Sequence, residues 1–118
     1  MSFFESKEIK ERKKELSLEP NDPAAHFNLG AAYDKAGKLH DAIKEFEATI
    51  KIHPNSAEAH FNLGVLYESV NQGEKAIVHI LKAGNLFGDK NDAVNKMESR
   101  RLLKEFYRKF GFKPEDIE

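Results

Sequence analysis

The sequence predicts an all-α fold, a short stack of antiparallel helix hairpins with a capping helix at each end. The first observation is a repeat, because the segment HFNLG at 26–30 returns unchanged at 60–64, an offset of 34 residues. The second is that other positions agree at this offset: Tyr33 with Tyr67, Ala42-Ile43 with Ala76-Ile77, and apolar Phe46 with Ile80. A fixed period of this length is typical of stacked helical repeats. Each unit is predicted to hold two amphipathic helices separated by a turn, at Gly37 in one and at 71–73 in the other.

Residues 5–18 are predicted to form a charged helix in which Lys and Arg alternate with Glu. This pattern is typical of a solvated helix with i,i+4 ion pairs. The segment 16–21 resembles 50–55, and in both a proline, Pro20 or Pro54, ends the helix. We therefore interpret residues 1–20 as a degenerate half-repeat that caps the stack. The alternative is a free or partner-bound amphipathic arm.

The two hairpins that follow have recognisable ends. Asp22 can cap the free N–H groups of the next helix, and Pro23 suits its first position. This helix is predicted to reach about Ala36, where Gly37 takes a left-handed conformation. Its partner spans 39–52, and helices at 57–70 and about 73–86 repeat the pair. Glycines at 84 and 88 weaken the end of the last of these helices, so a turn is expected at 87–91.

The residues that recur resemble the tetratricopeptide repeat family. The matching positions are Leu29, Gly30, Tyr33, Ala42, Phe46 and Pro54, then Leu63, Gly64, Tyr67, Ala76 and Ile80. Departures are His26 and His60 in place of Trp, Thr49 in place of a small apolar residue, and Gly88 where a proline is due. The resemblance implies a right-handed superhelical stack in a single domain over 1–118. Its repeats would be 21–54 and 55–88, followed by a long helix and tail at 89–118.

The last helix is predicted to run from near Asp92 to Gly111 and carries two apolar faces. Ala93, Val94 and Met97 share one side, which we expect to seal the end of repeat two. The opposite side carries an aromatic-rich stripe: Leu102, Leu103, Phe106, Tyr107 and Phe110. This stripe needs another cover. The helix either bends near residues 99–101 and covers the concave face of the stack, or stays straight and packs on a second copy of the chain. We favour the homodimer, because no Gly or Pro interrupts the helix.

Composition excludes several functional classes. The 118 residues contain no cysteine, so disulfides and thiol catalysis are absent, as is usual in a reducing compartment. No apolar run approaches the ~20 residues that span a bilayer, and the N-terminus has no secretory signal. A cytoplasmic protein is expected. No nucleophile–base or phosphate-loop motif occurs, so we predict that the protein is not an enzyme and uses no cofactor.

The family resemblance also implies a binding groove on the concave face of the stack. The positions that carry over are Ala24, Phe27, Asn28, Ala31 and Asp34, with Glu58, Phe61, Asn62, Val65 and Glu68. An apolar floor with acidic residues predicts a peptide or partner helix that carries apolar anchors and Lys or Arg. Some family members hold a chain-end carboxylate. Asn62 and Lys96 match parts of that clamp, but Phe27 and Ala31 replace its first pair, so we expect no such binding.

Two other site interpretations are weaker. His26 and His60 occupy equivalent places, but a metal site would need a third converging ligand, so we predict packing roles and no metal. Basic residues on the last helix could track phosphates: Lys96, Arg100, Arg101, Lys104, Arg108 and Lys109. The net charge of −1 argues against nucleic acid. Three functional hypotheses result: a protein-interaction module, which we favour; a self-assembling protein; and a nucleic-acid-associated adaptor.

Overall fold

The computed structural model describes residues 5–117, and within that range it contains helices and no strands. The helices are α1 (Lys7–Leu18), α2 (Pro23–Lys35), α3 (Leu39–Ile52), α4 (Ala57–Ser69), α5 (Gly73–Asp89), α6 (Ala93–Phe110) and α7 (Pro114–Ile117). The predicted all-α fold of helix hairpins is confirmed. The chain divides into two compact units, with α1–α3 in the first and α4–α7 in the second. The boundary lies between Pro54 and Asn55; the division into repeats at 21–54 and 55–88 stays a prediction. Residues 1–4 of the predicted N-terminal cap lie outside the described residues.

In the first unit, α2 and α3 form a hairpin and α1 packs against α2. The hydroxyl of Ser6 caps α1 by accepting from the amide of Ile9 at 3.1 Å, and the Ile9 side chain is buried. In this unit α1 is therefore a packed helix and not a free arm. Asp22 caps α2 as predicted. Gly37 lies in the turn after α2 and takes the left-handed conformation, with a φ of 77°.

The second unit repeats this hairpin with α4 and α5. Ser56 caps α4, and the buried side chains include Leu63, Ile77 and Ile80. The hairpin turn contains Asn71 in the left-handed region, with a φ of 61°. Asparagine tolerates this conformation better than most residues, so it can replace the Gly37 of the first turn.

The two repeated histidines have structural roles. In the first unit, Nδ1 of His26 lies 2.9 Å from the Glu45 carboxylate and Nε2 lies 2.8 Å from the carbonyl oxygen of Pro20. In the second unit, the Nδ1 atoms of His60 and His79 lie 3.0 Å apart, and the two rings stack. His79 stands where Glu45 stands in the first repeat. Both rings therefore join the first helix of a hairpin to the second.

The expected turn at 87–91 is wrong, because α5 continues to Asp89 through both glycines. The reason is the packing of α6 on α5. A Cβ at Gly84 would lie 3.3 Å from the Cβ of Ser99, and one at Gly88 would lie 3.3 Å from the Lys96 side chain. These glycines allow α6 to approach closely, which offsets their low helix propensity. The turn lies at 90–92, where Asp92 caps α6 through the amide of Asn95.

As predicted, α6 is one uninterrupted helix of 18 residues; it ends at Phe110 and is capped by Gly111, whose φ is 73°. It packs antiparallel to α5, since Ser99 lies beside Gly84 and Phe110 lies beside Gly73. The short helix α7 follows in the segment predicted to be a tail, and it also contacts α5.

Candidate functional site

The face of α6 that packs on the hairpin is the opposite of the one expected. Val94 and Met97, predicted to seal repeat two with Ala93, are 78% and 70% exposed, and Ala93 is exposed as well. Phe106 is instead 4% exposed, and Leu102, Leu103, Tyr107 and Phe110 are partly buried. The prediction was wrong because burial favours the larger apolar area. At 100° per residue, Ser99, Phe106 and Phe110 lie on one side of the helix, and that side faces α5.

Phe110 anchors the C-terminal end of α6. A Cβ built at Gly73, the first residue of α5, would lie 2.3 Å from Cγ of Phe110. The aromatic ring therefore rests directly on the glycine backbone. Phe106 continues the contact, with its ring edge-on to that of Phe110 at 6.4 Å between centroids. The expectation that the whole stripe must find a cover outside repeat two is wrong for these residues.

Gly73→Ala tests this anchor. The added methyl group cannot coexist with Phe110 in its present position, so we expect a loss of about 1–3 kcal/mol in the free energy of unfolding. Urea unfolding followed by circular dichroism measures it. In a Phe110→Ala background, the glycine substitution should cost less, since the ring is then absent and only the contact with the Cβ of residue 110, at 2.8 Å, remains. Equal costs in both backgrounds would show that Gly73 acts through something other than Phe110.

A cleft between α4 and α6 is a candidate binding site in the second unit. Its volume is about 220 Å³, and its lining consists of Val65 and Glu68 from α4 with Leu102, Glu105, Phe106 and Lys109 from α6. Val65 and Glu68 belong to the predicted groove, whereas Leu102 and Phe106 belong to the predicted oligomer interface. The structure thus brings members of two separately predicted surfaces together at one place.

Two cleft residues were not predicted to lie there: Glu105 was not a candidate, and Lys109 was considered only as a phosphate-binding residue. Lys109 pairs with Glu68 at 2.7 Å, a contact between residues 41 positions apart. Such a contact depends on how α6 docks, and helical spacing alone gives no signal for it. The only available indication was that both residues lie within one turn of Phe106.

On the α6 side the cleft is lined by one acidic and one basic residue, Glu105 and Lys109. Arg101 donates to Glu98 at 2.6 Å and approaches Glu105 at 3.4 Å. The hydrogen bond from Arg101 is the main cause that lowers the pKa of Glu98 below its usual value. The same bond raises the pKa of Arg101. Glu98, Arg101 and Glu105 therefore form a charged row beside the apolar floor of Val65, Leu102 and Phe106.

The remaining groove residues lie on the open faces of α2 and α4, each described within its own unit. On α2, Ala24, Asn28, Ala31 and Asp34 are exposed and Phe27 is half-buried. On α4, Glu58 and Val65 are exposed, and Phe61, Asn62 and Glu68 are half-buried. The two phenylalanines are held by edge-to-face contacts, Phe27 on Phe46 at 5.2 Å and Phe61 on Phe87 at 6.4 Å. These faces match the predicted positions, and their binding role stays a prediction.

Other site types receive no support within residues 5–117. No group of three or more side chains in this range is placed to hold a metal ion. None of the helices described there has the length and apolar character needed to cross a bilayer. Self-association through the stripe of Leu102, Leu103, Phe106, Tyr107 and Phe110 stays a prediction, now with Phe106 already buried in its own chain.

Comparison with known proteins agrees with this architecture. A family model described as "TPR repeat" matches residues 33–71, and one described as "Tetratricopeptide repeat" matches residues 13–44. A search of curated protein sequences finds no match.

Several solved structures are similar to this chain. The type III secretion translocator chaperone SycD of Yersinia enterocolitica has a TM-score of 0.81 at 16% identity, over 86% of this chain and 70% of SycD. YrrB, described as a TPR protein with an unusual peptide-binding site, has a TM-score of 0.68 at 26% identity, over 79% of this chain. This chain matches only 46% of YrrB. MamA has a TM-score of 0.62 at 22% identity, over 86% of this chain and 67% of MamA.

Proposed function

Since this chain belongs to the tetratricopeptide repeat family, we propose that it is a non-catalytic protein-interaction module that binds a partner peptide or helix at the α4–α6 cleft. The observation that carries the proposal is the cleft itself, with an apolar floor of Val65, Leu102 and Phe106 between charged rims. Concave sites lined by apolar side chains with a few placed polar groups are the usual form of a binding pocket. YrrB, a similar structure, is described as having a peptide-binding site, which supports a ligand of this kind.

The chemistry of the cleft defines the ligand. One apolar side chain of the partner enters the cleft and covers Val65, which is 38% exposed. A neighbouring Lys or Arg of the partner faces Glu105, which is exposed and shares Arg101 with Glu98. Opposite charge at such a rim favours encounter and orientation. The open face of α4, with Phe61, supplies further contacts in this proposal.

Val65→Glu is the test. We screen an array of peptides that vary in apolar and charged content, then measure the strongest binders by fluorescence anisotropy. We expect the binders to carry apolar anchors and Lys or Arg. Val65→Glu should weaken their binding by about tenfold or more, because it places a charge at the entrance of the cleft. Val65 is exposed enough that the variant should fold.

Val94→Glu is the matched control, since Val94 is an exposed valine on α6 that does not line the cleft. It should leave the affinity unchanged. Binding that is insensitive to Val65→Glu, or equally sensitive to both variants, would refute the cleft as the site. An array that returns mainly acidic peptides dependent on Val65 would refute the proposed charge preference.

A further inference from the structure

A second surface of the same unit, formed by α5 and the opposite flank of α6, has an unusual distribution of charge. Four basic residues recur at intervals of four along α6: Lys96, Arg100, Lys104 and Arg108. We call them the basic ridge. Within the described residues none of the four forms an ion pair, whereas the other two cations of the helix, Arg101 and Lys109, are both paired. Like charges at i,i+4 destabilise a helix, so the basic ridge carries a cost, which the helix dipole offsets in part at Arg108 in the last turn.

Beside the basic ridge, α5 presents three apolar side chains that are exposed in part, although Leu86 also packs against Ala83 and Phe87. Val78 is 43% exposed, and Leu81 and Leu86 are partly exposed. We call these three the apolar strip. Their spacing of three, five and eight residues places them on one flank of the helix. A stripe of this kind is the pattern by which one helix packs on another.

Two adjoining cavities connect the apolar strip to the basic ridge. The larger, of about 330 Å³, is lined by Val78, Leu81 and Leu86 with Lys82 and Asn85. The smaller, of about 140 Å³, lies between the two helices and is lined by the following residues: Ile80, Leu81, Gly84, Asn85, Lys96, Ser99, Arg100 and Leu103. Leu81 and Asn85 line both, so the two cavities adjoin at these side chains, and we call the pair the groove. Lys82 stands on one side of it, and Lys96 and Arg100 stand on the other.

We propose that this groove docks an acidic amphipathic helix of a partner protein, at a surface separate from the α4–α6 cleft. Two apolar side chains of the partner, one turn apart, enter the two cavities, and its Glu or Asp residues pair with Lys82, Lys96 and Arg100. Laying an amphipathic helix into an apolar groove is a common mode of recognition. The charge of the rim sets the orientation and rejects basic partners. The apolar floor favours a protein over nucleic acid, because a phosphate backbone has no side chain to fill the cavities.

The probes are two synthetic peptides of about 20 residues, long enough for helix formation in water. Both carry Leu at helical spacing on one face. One has Glu on the flanks of that face and the other has Lys. Fluorescence anisotropy on the full chain measures their affinities. The Glu peptide should bind at least about tenfold more tightly than the Lys peptide. Added salt should weaken the binding of the Glu peptide.

Two variants test the two halves of the groove separately. The double substitution Lys96→Glu with Arg100→Glu should weaken binding of the Glu peptide by about tenfold or more. It should strengthen binding of the Lys peptide. Val78→Asp should weaken the binding of both peptides. Because the Val78 side chain is exposed, this variant should fold. Lys82→Glu provides a second charge variant on α5. Lys51→Glu, an exposed lysine of the first unit, is the control and should change nothing.

Four results would overturn the proposal. The first is equal affinity for the two peptides. The second is tight binding of a labelled DNA duplex that Val78→Asp does not affect, which would indicate nucleic acid. The third is a wild-type dimer in sedimentation that Val78→Asp disperses, which would indicate a second copy. The fourth is loss of Glu-peptide binding in Val65→Glu, which would place the peptide in the α4–α6 cleft. If Val65→Glu loses only the cleft ligand, the two sites are independent.

Discussion

Replacing Gly64 with leucine should lower the free energy of unfolding by about 3 kcal/mol, the upper end of the usual cost of overpacking a core. A Cβ at this position would lie 2.4 Å from Cγ1 of Ile80 and 3.2 Å from the carbonyl oxygen of Ala76. Ile80 is fully buried, so its side chain has no free space to enter. The α4–α5 hairpin must therefore open to admit even the first carbon of the new side chain. Urea unfolding of the full chain, followed by circular dichroism, measures the loss.

The equivalent glycine in the first unit provides the control. A Cβ at Gly30 would lie 3.2 Å from the ring of Phe46, which is tight but requires a shift of only a few tenths of an ångström. Alanine in a helix interior gains about 1 kcal/mol over glycine. Gly30→Ala should therefore stay within about 1 kcal/mol of wild type, whereas Gly64→Ala should be clearly destabilised. Equal effects at the two positions would mean that the two hairpins pack alike and that Ile80 yields more easily than its burial indicates.

The hairpins were predictable because the residues that repeat are those that make the contacts. The missing side chain of Gly30 or Gly64 faces the residue 16 positions later, Phe46 or Ile80, so the period encodes the packing of each hairpin directly. The helix ends were predictable for a local reason. Asp22, Pro23 and Gly37 act through the backbone around them, and their effects need no knowledge of the tertiary fold.

The orientation of α6 was not predictable in the same way. The sequence shows two opposed apolar faces, one with Val94 and Met97 and the other with Phe106 and Phe110. Which face turns inward depends on the surface that receives it. Gly73 makes room for Phe110, and Gly84 lies beside Ser99. A glycine in a helix reads as a weak point in sequence, yet both of these serve as contact points for a later helix.

The same limit applies to the candidate site. The predicted groove residues were taken from positions on α2 and α4, and the predicted oligomer interface was taken from a stripe on α6. Val65 and Leu102 line one cleft only because α6 docks with the aromatic side inward. Residues of the cleft that come from different helices have no fixed spacing in sequence. The basic residues of α6 illustrate the point, since sequence shows six of them alike and the structure separates Arg101 and Lys109, which are paired, from the basic ridge.

Phe106→Ala is expected to have the largest effect on stability, about 3–5 kcal/mol in the free energy of unfolding. The side chain is 4% exposed and helps to form the floor of the α4–α6 cleft, so its removal leaves a cavity where α6 packs on the hairpin. Met97→Ala is the matched control, because Met97 lies on the same helix and is 70% exposed. It should change stability by no more than about 0.5 kcal/mol. Both variants are unfolded with urea at low and high micromolar concentrations. The loss caused by Phe106→Ala should be the same at each concentration, since the contact lies within one chain. A loss that appears only at high concentration would show that Phe106 is buried by a second copy, as the homodimer hypothesis requires, and would reverse the assignment of the two faces of α6.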